Sequence, residues 1–404
     1  MKNLLLGLAF ALGLSPSAQA QDLTALARVD PQASGITDGW WGRTTLALHL
    51  SQGVPFRVFT LDDPARLVVD FREADFAGVS SGDLLAQKGR VSAVRFGAFQ
   101  PGWSRLVAEL AEPMLPREIG MPVTEGSGRA ILEIDLETVS AETFAAASGA
   151  PVDPGWTPAF LRPSRSPKTD DGRFTVVLDP GHGGIDPGAE RDDVAEKDLM
   201  LTIARALADE LRRAGVDAVL TRDDDYFVAL ETRVAIAHQS GGDLFISLHA
   251  DSLSQGGAHG ATVYTLSDAA SDAATDHLAS RHNRADIIAG ADLTGSDDQV
   301  ASVLLDLARQ ETEPRSAALA RTLVARMKAA GGPMNRRPLR EAGFSVLKSA
   351  DIPSVLIEVG FLSSKRDLAN LRDPIWRAVM VGGIVEAILQ WRDEDAARAV
   401  LVRQ

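Results

Sequence analysis

One stretch, residues 174–211, constrains the fold of this chain more than any other. Its first five residues, Phe174 to Leu178, are apolar or β-branched, which predicts a buried strand. A loop with four glycines follows, and apolar residues then recur at three- and four-residue steps up to Leu211, as in an amphipathic helix. This order of strand, loop and helix is typical of open α/β sheets, which build their sites at the C-terminal ends of the strands.

The glycine-rich loop and the helix carry His182 and Glu196. His182 follows the strand directly, and Glu196 falls in the first turn of the helix. Glycines allow tight backbone turns, so that an imidazole and a carboxylate can converge. A phosphate-binding loop is the alternative, but the stretch lacks the Lys-Ser/Thr pair of a P-loop. The two side chains are therefore candidates for two ligands of a zinc site.

Further strands alternate with helices from residue 173 to about 395, which predicts a three-layer α/β domain with a mostly parallel sheet. The apolar run 243–248 ends at His249, and the run 354–357 ends at Glu358. Because the C-terminal ends of parallel strands lie at one edge of a sheet, both side chains are expected beside His182.

These four residues predict metal-assisted hydrolysis. Two imidazoles and one carboxylate leave a fourth zinc position open for water, as in catalytic zinc sites. Glu358, a second carboxylate, is placed to take the proton of that water. The chain has no cysteine, so any metal site must use His, Asp or Glu. The formal charge of −14 argues against nucleic acid as a main partner.

Residues 1–20 have the pattern of a signal peptide. Lys2 gives the positive start, Leu4–Leu14 the apolar core, and Ala18–Ala20 the cleavage pattern of small residues. This apolar run is too short to span a bilayer comfortably, and no later stretch does better. We therefore expect export from the cytoplasm and no membrane span.

Residues 26–139 contain short alternating segments at regular spacing, which predict a β-sandwich. The segments 64–71, 94–97 and 105–107 resemble the AMIN domain, a family found at the N-terminus of exported amidases and associated with binding the cell wall. Residues 145–171 hold five prolines without apolar periodicity and are interpreted as a linker.

The second domain resembles the zinc-dependent N-acetylmuramoyl-L-alanine amidases. The motifs that carry the resemblance are LDPGHGGIDPGA, EKDLML, TRDDDYFVALETR, FISLHADS and PSVLIEVGFLSS, in that order. The resemblance implies a mixed six-stranded sheet and one zinc ion held by His182, Glu196 and His249, with Glu358 as the catalytic residue. It also implies hydrolysis of the amide between N-acetylmuramic acid and L-alanine in peptidoglycan. Arg222 and Arg233 match family positions and are expected to brace loops by ion pairs.

About fifty residues between Leu266 and a helix expected to start near Arg315 exceed what a hydrolase core needs. The segment 268–313 resembles the regulatory insertion of division-associated amidases, in which a helix covers the zinc cleft until an activator of the LytM-domain family displaces it. This resemblance implies a periplasmic enzyme that splits the septum. It also leads us to expect that His282 or a neighbour caps the metal in an inhibited state.

Two alternatives remain open from the sequence. A zinc peptidase that cuts the stem peptide elsewhere would use the same metal chemistry, and residue patterns do not fix the scissile bond. A non-catalytic wall-binding protein could keep the fold, although loss of a ligand or of Glu358 would be expected in that case, and all four residues are present.

Overall fold

The computed structural model describes residues 26–72, 74–100, 102–151, 173–252, 258–288, 302–349 and 351–402. The expected signal peptide 1–20 lies outside these ranges, as do most of the expected linker and residues 289–301 of the expected insertion. Within the described ranges, no helix combines the length and apolar character needed to cross a membrane.

The N-terminal region contains two four-stranded antiparallel sheets, with strand orders β2-β3-β10-β9 and β4-β5-β8-β7. A short parallel pair, β1 with β6, lies beside them. The strands are β1 (Ala27–Arg28), β2 (Gly35–Asp38), β3 (Arg43–Leu50), β4 (Phe56–Leu61), β5 (Arg66–Arg72), β6 (Ala74–Asp75), β7 (Val91–Gln100), β8 (Trp103–Leu110), β9 (Met114–Gly120) and β10 (Ala130–Thr138). Two helices complete the region, α1 (Ser81–Leu84) and α2 (Ala141–Ala147).

The two sheets bury a shared core. In β3 every second side chain is buried, and Leu46 and Leu48 face the other sheet with almost no exposed surface. The opposing strand β5 supplies Leu67, Val69 and Phe71 to the same core. Alternation of this kind is what a half-buried strand requires. The predicted β-sandwich is confirmed.

The C-terminal region is built on a six-stranded sheet with the order β14-β11-β15-β18-β16-β17. The strands are β11 (Thr175–Pro180), β12 (Glu190–Arg191), β13 (Val194–Ala195), β14 (Asp217–Leu220), β15 (Leu244–His249), β16 (Ala261–Leu266), β17 (Met334–Ala342) and β18 (Ser354–Glu358), of which β12 and β13 form a separate hairpin. All neighbours in the large sheet are parallel except β16 and β18.

Helices cover both faces of this sheet. They are α3 (Glu196–Arg213), α4 (Leu230–Gln239), α5 (Ala273–His282), α6 (Ala285–Ile288), α7 (Ser302–Ala329), α8 (Lys365–Arg372) and α9 (Pro374–Val402), with a 3-10 turn at Ser345–Leu347. The apolar stripe of α3 packs with α7 and α9 on one face, and α4 and α5 pack on the other. The predicted α/β domain with a mixed sheet is confirmed.

The expected start of a helix near Arg315 is wrong. Helix α7 begins at Ser302, and Pro314 lies inside it. Proline is favoured in the first turn of a helix and removes a hydrogen bond from a helix interior, so its position inside α7 runs against local preference. The segment before Pro314 is instead continuous with a helix that packs on the sheet.

Candidate active site

His182 stands in the loop after β11 with a left-handed backbone, φ +62°. Its Nδ1 lies 2.7 Å from the Oδ2 of Asp186, four residues further on. Its Nε2 is buried and makes no hydrogen bond within the described part of the chain. The carboxylate therefore fixes one side of the ring and leaves the other nitrogen available to a ligand.

Glu196 is the first residue of α3 and is fully buried. Its Oε2 accepts a hydrogen bond from the Ala189 amide at 2.9 Å, and its Oε1 accepts one from the Ala250 amide at 2.9 Å. The same Oε1 lies 3.2 Å from His182 Nε2 and 3.1 Å from His249 Nδ1. The carboxylate thus sits between the two imidazoles, as the sequence predicts.

The convergence of His182, Glu196 and His249 fits a metal ion. Each offers one ligand atom, and these atoms lie within 4.8 Å of one another. Two glycines leave the space that this packing needs. A Cβ on Gly181 would lie 2.2 Å from the His249 ring, and one on Gly188 would lie 2.6 Å from the His182 ring. An unpartnered imidazole nitrogen with a His₂-carboxylate donor set is what zinc requires.

Glu358 ends β18 beside this cluster. It pairs in register with His249 on the neighbouring strand β15 and is fully buried. Its Oε2 accepts a hydrogen bond from the Asp251 amide at 2.9 Å, whereas its Oε1 has no hydrogen-bond partner among the residues that the structure describes. The carboxylate is held by one oxygen and presents the other to the site.

Burial and neighbouring charges set the protonation of the cluster. Burial opposes the charged form of His182, but the carboxylates of Asp186 and Glu196 outweigh this and raise its pKa well above the ordinary value. Burial lowers the pKa of His249 to about 4, and His282 contributes to the lowering. A metal ion that binds through the His182 ring displaces a proton, so metal affinity falls as the pH falls.

The pKa of Glu358 is shifted in the opposite direction to the pKa of Glu196. Burial raises the pKa of Glu358 well above its ordinary value, and the charges of Asp251 and Glu196 add to the rise. Burial also acts to raise the pKa of Glu196, but His182 reverses this and lowers it well below the ordinary value. Two carboxylates whose environments push their pKa values apart are typical of a site with one ligand and one proton carrier.

Arg222 and Arg233 brace the loop from below, but mainly through carbonyl groups rather than the expected ion pairs. Arg222 donates to the carbonyls of Pro180 and Gly181 at 3.0 Å each. Arg233 donates to the His182 carbonyl at 2.9 Å and forms one ion pair, with Asp179 at 2.7 Å. Each guanidinium offers several donors in a fixed plane, which suits a loop whose carbonyls turn inward.

His282, the last residue of α5, reaches into the site. Its ring centroid lies 4.2 Å from that of His249, and its Nε2 lies 3.3 Å from Asp251 Oδ2 and 3.7 Å from Glu358 Oε1. Asn283 fixes the end of the helix, because its side chain donates to the Gly343 carbonyl at 2.8 Å. The described part of the expected insertion therefore places a buried imidazole beside the cluster.

Two carboxylates that contact the predicted site residues, Asp186 and Asp251, were not predicted from the sequence. Asp186 orients His182, and Asp251 lies between Glu358 and His282. The spacing of four residues between His182 and Asp186 was a usable signal, since glycines between them permit a tight hairpin. The position of Asp251, two residues after His249, was a weaker one.

Comparison with known proteins identifies a family for each of the two domains. Residues 176–390 match the family described as N-acetylmuramoyl-L-alanine amidase, and residues 37–131 match the AMIN domain. The chain is similar to the N-acetylmuramoyl-L-alanine amidase AmiA of Escherichia coli, with 39% identity over 57% of this chain and 82% of the relative. It is also similar to AmiC of Neisseria meningitidis, with 30% identity over 86% of both chains.

Among solved structures, AmiC2 of Nostoc punctiforme is similar with 27% identity and a TM-score of 0.40, covering 55% of this chain and 97% of that one. The amidase match alone spans more than half of the chain, and the AmiA relative is matched over more than two thirds of its length. The protein therefore belongs to the N-acetylmuramoyl-L-alanine amidase family of peptidoglycan hydrolases and carries an AMIN domain before its amidase domain.

Proposed function

We propose that this protein is a zinc-dependent N-acetylmuramoyl-L-alanine amidase in which His182, Glu196 and His249 hold one zinc ion and Glu358 is the catalytic acid and base. The observation that carries the proposal is the convergence of three ligand atoms within 4.8 Å, beside a buried carboxylate with one unpartnered oxygen. The ligand set leaves one position for water, which favours hydrolysis over a structural role.

A zinc ion held there would supply a Lewis acid for the amide carbonyl and lower the pKa of the attacking water. Glu358 Oε1 accepts the proton of that water and then delivers it to the departing nitrogen. The Asp251 amide holds Oε2 in place during both transfers, so that the free oxygen keeps its direction. Asp186 keeps the His182 ring oriented by accepting from Nδ1.

The scissile bond is tested by mass spectrometry of digested peptidoglycan. Purified enzyme loaded with zinc should release intact stem peptides that begin with L-alanine and leave glycan strands free of peptides. A Glu358→Gln variant under the same conditions serves as the control for contaminating hydrolases. Shortened stem peptides would instead identify a peptidase and overturn the proposal.

We also propose that residues 26–139 form the wall-binding unit, that 145–171 link it to the catalytic unit 173–395, and that residues 1–20 direct export to the periplasm. Two adjacent aromatic side chains support wall binding. Trp40 and Trp41 lie in the turn between β2 and β3 and are 87% and 95% exposed. Exposed aromatic groups of this size mark interaction sites in a folded domain.

The last part of the proposal concerns regulation during septal splitting. We propose that the insertion 268–313 inhibits the enzyme, with His282 or a neighbour capping the metal, until an activator of the LytM-domain family displaces it. The burial of His282 against His249 and Glu358 supports this, because substrate must reach the same carboxylate. Arg281 adds a second attachment by donating to the Ser252 carbonyl at 2.9 Å.

A substitution in α5 tests the inhibition. His282→Ala should raise basal hydrolysis of purified sacculi by on the order of tenfold, since a state that blocks the site reduces the competent population. His277→Ala is the matched control, because His277 is exposed on the same helix. Equal basal rates for wild type and His282→Ala, at equal zinc content, would contradict self-inhibition.

A further inference from the structure

The catalytic domain covers one face of the N-terminal sandwich. Strand β5 points Leu67 and Val69 into the sandwich core, whereas Val68 between them points outward and is still fully buried. Val68 packs in a separate apolar cluster with Ile185 and Phe227 of the catalytic domain. Further members from the sandwich are Phe59, Leu61, Val107 and Phe99. The outer face of the sheet β4-β5-β8-β7 therefore carries an apolar patch beside the paired charges of Asp70, Arg57 and Arg105, and this patch is a domain interface.

The interface includes contact between two backbones. The Ile185 amide donates a hydrogen bond of 2.9 Å to the Ala98 carbonyl of β7, an edge strand of its sheet. Gly184, with φ +56°, passes so close that a Cβ there would lie 1.8 Å from the Ala98 oxygen. Phe99 stacks on Phe227 with ring centroids 5.9 Å apart. Only glycine at residue 184 permits this approach.

Gly184 and Ile185 are the tip of a hairpin whose base lies in the active site. The Gly183 amide donates to the Asp186 carbonyl at 2.9 Å, and the Asp186 amide donates back to the Gly183 carbonyl at 3.1 Å. His182 precedes this closed turn and Asp186 ends it, and their side chains meet at 2.7 Å. The sandwich thus holds the turn that brings the imidazole and its orienting carboxylate together.

We propose that docking of the N-terminal domain positions His182 for metal binding, so that this domain is a positioning element of the catalytic site as well as a wall tether. The proposal rests on the proposed role of His182 as a zinc ligand. Partners that orient a ligand typically change metal affinity by about 10–100-fold when lost. A simple tether, by contrast, would leave zinc affinity unchanged when the domains separate.

The test uses the full chain with substitutions in the N-terminal domain alone. Val68→Asp places a charge in the interface that faces water once the domains separate, and Phe99→Ser removes the stacked ring from a partly exposed site as a milder second variant. Ile119→Asp is the matched control, because Ile119 is 43% exposed on β9 of the other sheet. Small-angle scattering reports separation of the domains.

Two measurements then test whether domain docking positions His182. Zinc affinity is measured by competition with a chelator, and hydrogen exchange is followed at the Ile185 and Asp186 amides of the zinc-free protein. We expect at least one interface variant to separate, with about tenfold weaker zinc binding and at least about tenfold faster exchange at both amides. The Ile119→Asp control should match wild type in both.

Separated domains with wild-type zinc affinity and wild-type exchange would overturn the proposal. Failure of both variants to separate the domains would overturn it as well, because the cluster would then not be what holds them. A parallel measurement on His182→Ala distinguishes failure of the ligand assignment from failure of the positioning role. Full zinc binding in that variant refutes the ligand assignment itself, whereas loss of zinc there with unaffected interface variants refutes only the positioning role.

Discussion

The two domains differ in how their buried charged groups are paired. In the N-terminal sandwich, Asp70 is fully buried but both of its oxygens are paired, with Arg105 at 2.5 Å and with Arg57 at 2.8 Å. In the catalytic domain, His182 Nε2 and Glu358 Oε1 are buried at one sheet edge, and the described residues give neither atom a hydrogen bond. The charge in the sandwich is fully paired within the protein, whereas the two atoms in the catalytic domain gain a partner only when a ligand binds.

This difference indicates which buried polar groups are functional. A buried group left without a partner costs about 1–3 kcal/mol, so a fold tolerates several of them together only where something else binds. The catalytic domain also contains a buried carboxylate that is fully paired within the protein. This is Asp179, to which Arg233, Thr221 and Ser247 all donate. The contrast therefore separates two kinds of site, rather than two kinds of domain.

The largest effect is expected from substituting one of the proposed zinc-binding residues. His182→Ala, Glu196→Ala and His249→Ala should each abolish stoichiometric zinc binding and all measurable hydrolysis, because a site with two ligands remains. Elemental analysis after dialysis and dye release from labelled sacculi measure the two effects. His238→Ala on the surface of α4 is the control. Full zinc content in all three ligand variants would refute the assignment.

Changing the proton carrier should separate metal binding from turnover. Glu358→Gln keeps the shape of the side chain but removes the basic oxygen, so we expect zinc content to remain and kcat to fall by about 10²–10⁴-fold. Single-turnover hydrolysis of a soluble muropeptide measures the loss. A rate within a few-fold of wild type would show that another group moves the proton.

Loosening the orienting carboxylate should have a smaller effect. Asp186→Asn retains the size of the side chain but accepts a weaker hydrogen bond from His182 Nδ1, and zinc affinity should fall by about 10–100-fold. Chelator competition is the measurement, with Asp192→Asn in the nearby exposed turn as control. Unchanged affinity would mean that the loop alone orients the ring.

The smallest effect is expected from substitutions in the N-terminal domain. Among its described residues, only the single atom Arg95 Nε is buried without a hydrogen bond. Trp40→Ala with Trp41→Ala should weaken binding to sacculi by about fivefold or more, since exposed tryptophans often dominate binding energy. Zinc content should not change. Cosedimentation measures binding, Ile119→Ala is the control, and wild-type binding by the double variant would move the wall contact elsewhere.

The sequence predicted the parts of the site that depend on strand ends. His182, His249 and Glu358 each follow or finish an apolar run, and Glu196 begins the next helix, so alternation of strands and helices was enough to bring them to one edge. Both domain folds were predicted for the same reason. Periodicity along the chain reports which face of an element is buried.

The rest depends on contacts that periodicity does not report. The role of Asp186 requires the hairpin at Gly183, and the pairing of Ala98 with Ile185 joins residues far apart in the chain. The buried outer face of β5 resembles a fully buried strand in sequence and does not say which partner covers it. The helix boundary expected near Arg315 was wrong because α7 runs on from Ser302 through Pro314, and helix ends are poorly marked by local sequence.

The contact between Ala98 and Gly184 also bears on how the two halves of such proteins can diverge. A carbonyl oxygen is present whatever residue supplies it, so the sandwich can change its side chains at Ala98 widely and still receive the hairpin. The catalytic half has no such freedom at Gly184, where any side chain would collide. The sandwich is restricted one residue earlier, at Gly97, where a Cβ would lie 3.1 Å from Ile185. A chimera that exchanges the sandwich should therefore keep the junction if the incoming edge strand has the same course and a glycine at that position.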